Sequence, residues 1–177
     1  MEYILKNGKK LTVRRAAEDN AEGVLNVLCT ADSETRFLAR EPEEKKPTVE
    51  RERQMLSALG ADPDSALFAA EYDSKIVGIC SVGLVRKNLR FRHRANVSFV
   101  VLKDFWGLGI GGKMMEECIT WCKEHGVEQI ELDVVTENER AVNMYKSFGF
   151  RIIGTLPHAL RYADGTYADE YYMLYEV

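Results

Sequence analysis

The chain is 177 residues long, a length that suits one domain and, by general scaling, buries roughly 70% of the unfolded surface. With 46% hydrophobic and 29% charged residues, it has the composition of a globular protein and not of a disordered or fibrous one. The formal net charge of −4 argues against nucleic acid or an anionic membrane as a principal partner.

The opening stretch, MEYILKNGKKLTVRRA, lacks the uninterrupted apolar run of a secretion signal or spanning helix, so a cytoplasmic protein is expected. Residues 10–16 read as a strand. Residues 19–31 follow as a helix capped by Asp19, with Val24, Leu25, Leu28 and Cys29 on one face. A charged, proline-broken linker from 40 becomes a second helix with Val49, Met55, Leu56 and Leu59 apolar, ended by Gly60. Residues 66–85 read as a hairpin about Asp73 and Ser74. The next stretch, RKNLRFRHR (86–94), is basic enough to grip phosphates or RNA, but as one short run in an acidic protein it reads as an exposed connection. A strand over 95–102 then delivers the chain to WGLGIGGKMMEE at 106–117.

That glycine-rich turn admits several readings. Gly107, Gly109 and Gly112 satisfy the spacing of a dinucleotide-binding turn, but such a turn belongs in the first strand-to-helix unit. Gly107, Gly112 and Lys113 satisfy a nucleotide-hydrolysing loop except at Met114, whose thioether offers magnesium no hard oxygen. A merely tight connection is the third reading.

Beyond the turn, Ile110, Met114, Met115, Cys118, Ile119 and Cys122 fall at helical spacing up to a cap at Gly126. Cys118 and Cys122 lie one turn apart without a second ligand pair at zinc spacing, so they read as buried packing and no metal site is expected. Residues 127–135 alternate, with Ile130, Leu132 and Val134 on one face and Glu131 and Asp133 on the other. A further helix starts at the cap Asn138, buries Ala141, Met144, Tyr145 and Phe148, and stops at Gly149. A hairpin about Asp164 and Gly165 completes the sequence. The expected fold is a mixed α/β (α+β) domain, its central, mostly antiparallel sheet of about seven strands flanked by about four helices.

Taken together, VSFVV, WGLGIGGKMMEE, IELDVV and NERAVNMYKSFGF resemble the acyl-CoA-binding core of the GNAT superfamily of N-acetyltransferases. The resemblance covers 95–177, leaving 1–94 as the acceptor side of the same domain. It implies a strand that bears a bulge and splays from its neighbour, so that backbone near Phe99, Val100 and Val101 pairs with the pantetheine arm. It also implies that main-chain N–H groups of Gly107, Leu108, Gly109, Ile110, Gly111 and Gly112 wrap the coenzyme's diphosphate at a helix N-terminus. The family usually begins this motif with Gln or Arg, where this chain has Trp106. By the same resemblance Asn138 ties the cofactor arm to the last helix, and Tyr145 is the general acid for the leaving thiolate. A plain helix cap and a core aromatic are the alternatives for these two.

The reaction so implied is direct attack of an amine on acetyl-CoA in a ternary complex, with no metal, and with the carbonyl polarised by the N–H of Val100. Many members use a glutamate on the strand before the turn as base, and here Asn96 stands in its place. Asp133 is the expected base, with Glu131 and a water chain behind it; a solvated carboxylate is the alternative. Deprotonating a lysine amine (pKa about 10.4) costs roughly 3.5 kcal/mol more than an α-amine (about 7.8), so a weakly equipped site leans toward α-amines. A small amine or amino acid is the expected acceptor, walled by the first two helices and by Tyr162 and Tyr167 of the final hairpin. A protein or peptide N-terminus and a non-catalytic acyl-CoA sensor are the alternatives. A homodimer is suggested by analogy alone.

Overall fold

A computed structural model describes residues 1–177. Eight strands form one sheet in the order β1-β2-β3-β4-β5-β6-β8-β7. In chain order they are β1 (Glu2–Ile4), β2 (Lys10–Arg15), β3 (Ser65–Tyr72), β4 (Lys75–Leu84), β5 (Arg94–Val101), β6 (Gln129–Val135), β7 (Arg151–Arg161) and β8 (Tyr167–Glu176). The helices are α1 (Ala21–Glu34), α2 (Val49–Ala61), α3 (Ile110–Glu124) and α4 (Glu139–Ser147). Every neighbouring pair of strands is antiparallel except β5 and β6, which the α3 crossover makes parallel.

The strand absent from the sequence reading is β1. It pairs with β2 through a turn at Gly8, whose φ is 76°, and three residues are too short to show a period. The first long helix begins two residues later than its sequence pattern suggested. Asn20 replaces Asp19 at its start, but its side chain accepts from the Ala17 N–H and from Arg14 instead of capping the helix. Thr48 caps α2 by accepting from Arg51 N–H, and only Leu56 of its four apolar candidates is buried. The β3–β4 hairpin turns at Asp73 and Ser74, with φ of 48° and 61°, the left-handed pair that a two-residue hairpin requires. The basic stretch 86–94 is an exposed connection that holds itself to the domain, Lys87 pairing with Asp62 and Arg92 with Asp64.

The two sheet faces differ. Under α3 and α4 lies a core of 25 buried residues, built on Ile110, Met114, Met115, Cys118 and Cys122 against Val82, Val97, Ile130 and Leu132. Under α1 and α2 the buried cluster has only 7 members, and this shallower side leaves room for polar side chains on β5, β6 and β8. Cys118 and Cys122 are fully buried in the larger core, Cys118 Sγ lying 3.6 Å from Cys80 Sγ. No helix is long and apolar enough to cross a membrane.

Candidate active site

The site is set by where β5 and β6 part. They pair only over Arg94–Asn96 against Gln129–Glu131, although β5 continues to Val101 and β6 to Val135. Beyond that point β4 holds β5 and β8 holds β6, each along an unbroken register. The bulge expected in β5 is therefore not found in its β4 ladder, and the gap comes from divergence of two half-sheets that are each internally regular.

Register also decides which peptide groups face the gap. Val85 N–H donates to Arg94 O and Leu102 N–H to Val77 O, at 3.1 and 3.0 Å. Alternation in an antiparallel ladder then commits Asn96, Ser98 and Val100 to β4 and turns the peptides of Phe99 and Val101 toward the gap. The Val100 N–H, expected as the donor to the reacting carbonyl, points to Ile79 on β4; the peptides that face the gap are those of Phe99 and Val101.

After β5 the chain enters the glycine turn. Gly107 and Gly109 have φ of 78° and 88°, and a Cβ on either would meet nothing within 4 Å. Their requirement for glycine is therefore a left-handed backbone bordering open space. Gly111 has a different reason, because a Cβ there would stand 2.9 Å from Met144 Sδ and force that side chain to shift. From Gly107 to Gly112 no N–H donates to a backbone carbonyl; the first α3 bond is Lys113 N–H to Gly109 O. With no acidic residue in the first turn of α3, these free donors and the positive end of the helix form a concavity suited to an anion. Leu108 and Ile110 turn inward, Leu108 packing against the core and Ile110 buried within it.

Asn138 caps α4 by accepting from the Ala141 N–H at 3.3 Å. One face of α4 then carries Val142 and Tyr145 into the sheet. The Tyr145 ring is 7% exposed and packs against Phe99 and Phe150, with centroids 6.0 and 5.8 Å apart. Burial pushes its phenol well above the ordinary tyrosine range, with Cys118 and Cys80 adding to the shift, so the group stays protonated at neutral pH.

The carboxylates of β6 have separate fates. Glu131 is buried and bound by the Arg94 guanidinium through two bonds, Nε to Oε1 at 2.6 Å and Nη2 to Oε2 at 2.8 Å. Both oxygens are occupied, which makes Glu131 a structural anchor for the last paired rung before the gap and removes it as a ready base. Asp133 is exposed at the cavity wall, and its carboxyl is raised above the usual carboxylate value by desolvation and then by the Glu131 charge. Sequence reasoning missed Glu170, which is opposite Val135 and two rungs from the Asp133–Tyr172 pair. Its carboxyl is likewise raised, by desolvation and then by Asp133. Finding it requires the β6–β8 register, which no local pattern reveals. Asn96 is exposed on the same side of the sheet.

Two cavities meet at Tyr145. One of about 360 Å³ lies along the glycine turn, and the other, of about 380 Å³, lies between β5, β6 and the end of α1. They share Phe99, Val101, Trp106, Asn138, Arg140 and Tyr145, so together they form one passage through the parted strands. A third cavity of about 720 Å³, between the α1–α2 connection and β7, shares Asp32, Arg40 and Glu170 with the second and opens it toward the far face. Tyr162 lines this outer cavity. Tyr167 does not: it is 48% exposed and stacks on His158. The wall expected from both helices comes from α1 and the connection after it, not from α2.

Several known proteins are similar to this chain in sequence or fold. The chain is 35% identical to an L-amino acid N-acetyltransferase of Escherichia coli over 65% of its own length and 70% of that protein's. Among solved structures, a GNAT-family acetyltransferase from Streptococcus pneumoniae superposes with a TM-score of 0.88 at 26% identity, covering 94% of this chain and 99% of that one. A ribosomal-protein-alanine N-acetyltransferase from Brucella melitensis gives 0.83 at 25% identity, again over 94% and 99%. The profile of the acetyltransferase (GNAT) family matches residues 29–150, a span holding β3 to β6, the glycine turn and Tyr145, and the chain belongs to that family of acyltransferases.

Proposed function

We propose that this protein transfers an acetyl group from acetyl-CoA to a small amine or amino acid in the cytoplasm, by direct attack within a ternary complex. The observation that carries this reading is the continuous passage through the β5–β6 gap, with free N–H donors at one end, carboxylates at the other and Tyr145 at the joint. In it, the diphosphate lies on the N–H groups of Gly107–Gly112 and the pantetheine arm runs along Phe99 and Val101. Asn138 holds the arm from the α4 side.

Holding amine and thioester in attack geometry contributes up to roughly 7 to 11 kcal/mol of barrier reduction. The amine nitrogen loses its proton to Asp133, with Glu170 beside it to hold the incoming ammonium, and attacks the carbonyl carbon. An N–H from Phe99 or Val101 stabilises the oxyanion. As the carbon–sulfur bond breaks, the sulfur keeps the electron pair and takes the Tyr145 hydroxyl proton, while the now cationic nitrogen gives up its second proton, which returns through solvent to the phenol. None of these steps calls for a metal ion.

A peptide N-terminus is the second reading, favoured by the volume of the outer cavity. Against it, Arg36 lies over Tyr162 at 3.8 Å and the Ala163 N–H donates to Glu41 at 3.0 Å, contacts that tie the α1–α2 connection to the end of the final hairpin across this cavity. The test is thiol release from acetyl-CoA in the presence of amino acids, polyamines, aminoglycosides and short peptides. Turnover with free α-amines is expected. Tight coenzyme binding without release on any amine would instead make the protein an acyl-CoA sensor.

A further inference from the structure

The glycine turn offers a diphosphate several N–H dipoles but no free cation of its own. Lys113, the nearest in sequence, turns back to Glu116, its Nζ lying 2.8 and 3.1 Å from the two carboxylate oxygens. The cation that is free comes from α4. Arg140 enters no ion pair or hydrogen bond, and its guanidinium carbon lies over the Trp106 ring, 3.1 Å from the centroid. Partial burial lowers its pKa from the ordinary arginine value. It also sits in the first turn of α4, where a cation opposes the helix dipole. An exposed arginine without a protein partner keeps its N–H donors available to an added anion.

The platform beneath it is itself fixed. The Trp106 indole N–H donates to the Val101 carbonyl at 2.6 Å, tying the ring to the end of β5. The ring thus stands at the mouth of the passage, and both Trp106 and Arg140 line the two cavities that meet there. Stacking on an indole holds a guanidinium in place without using its N–H donors.

We propose that the Trp106–Arg140 stack is a phosphate clamp, in which Arg140 reaches from α4 to the coenzyme's diphosphate on the glycine turn and supplies the charge which that turn lacks. The clamp rests on the functional reading above and assigns to it a residue and a donor preference: thioesters carried on a diphosphate-bearing coenzyme are selected over the same thioester on bare pantetheine.

Calorimetric titration with coenzyme A, dephospho-coenzyme A and pantetheine tests this. For Arg140→Gln, affinity for the first two is expected to fall roughly 10- to 100-fold, as for loss of a charge-assisted hydrogen bond, while affinity for pantetheine is unchanged. Arg140→Lys should recover part of the loss. Trp106→Leu should weaken coenzyme binding in the same direction, and its effect should not add to that of Arg140→Gln. Equal losses for pantetheine, or no loss for coenzyme A, would overturn the clamp. A loss seen with coenzyme A but not with dephospho-coenzyme A would move Arg140 to the 3′-phosphate and also overturn it. If the unsubstituted protein bound no coenzyme at all, the functional reading itself would fall first.

Discussion

Replacing Tyr145 by Phe removes one oxygen from the joint of the passage and leaves the rest of the side chain in place. The ring keeps its contacts with Phe99 and Phe150, so packing around α4 should not change, and folding stability should stay within about 0.5 kcal/mol of wild type. The diphosphate seat lies on the turn at Gly107–Gly112, and coenzyme affinity should be equally unaffected. Turnover should not be spared. Loss of general-acid assistance typically costs 10² to 10⁴ in rate, equivalent to about 2.7 to 5.4 kcal/mol of barrier. Thiol release at saturating acetyl-CoA and amine measures kcat, and titration with coenzyme A measures binding separately. A variant whose kcat lies within a few-fold of wild type would refute the role of the phenol and leave Tyr145 as a core aromatic.

Other substitutions separate the remaining parts. Gly109→Val forces a β-branched residue into a backbone with φ of 88° and fills the open side of the turn, so coenzyme binding should be lost; undiminished affinity would take the turn out of the site. Desolvation and then the Glu131 charge raise the Asp133 carboxyl, so its basic form appears at higher pH than that of a free aspartate, and the acid limb of kcat/KM should be displaced upward with it. Asp133→Asn should abolish that limb, and an unaltered profile would exclude it as the base. The stability sign runs the other way: folding binds the Asp133 proton more tightly, so wild type loses this small contribution as pH rises through the raised value, and the Asn variant does not. Glu131→Gln should behave as a structural lesion, leaving Arg94 with a weakened partner at a cost of about 2 to 3 kcal/mol in urea unfolding; a loss of activity without a loss of stability would return Glu131 to the chemistry.

The parts of this site that sequence could reveal are those encoded by local geometry. A left-handed backbone needs glycine at 107 and 109, and a helix start needs an acceptor such as Asn138, so the turn and the α4 cap are visible as residue types at fixed spacing. Tyr145 follows from helical phase once α4 is placed. What depends on pairing between distant strands was not legible. The parity of the β4–β5 ladder assigns Phe99 and Val101, and not Val100, to the gap. The β6–β8 register brings Glu170 beside Asp133. Glu131 and Asp133 alternate identically along β6, and only the approach of Arg94 from β5 makes one an anchor and leaves the other free. Arg140 meets Trp106 by tertiary packing, so neither residue announces the stack on its own.

A crystal structure of the protein with coenzyme A bears most directly on the central claim. The diphosphate should lie against the N–H groups of Gly107–Gly112, with the sulfur in the β5–β6 gap within about 3.5 Å of the Tyr145 hydroxyl. Coenzyme lodged outside that gap, or a sulfur with no path to the phenol, would contradict the account.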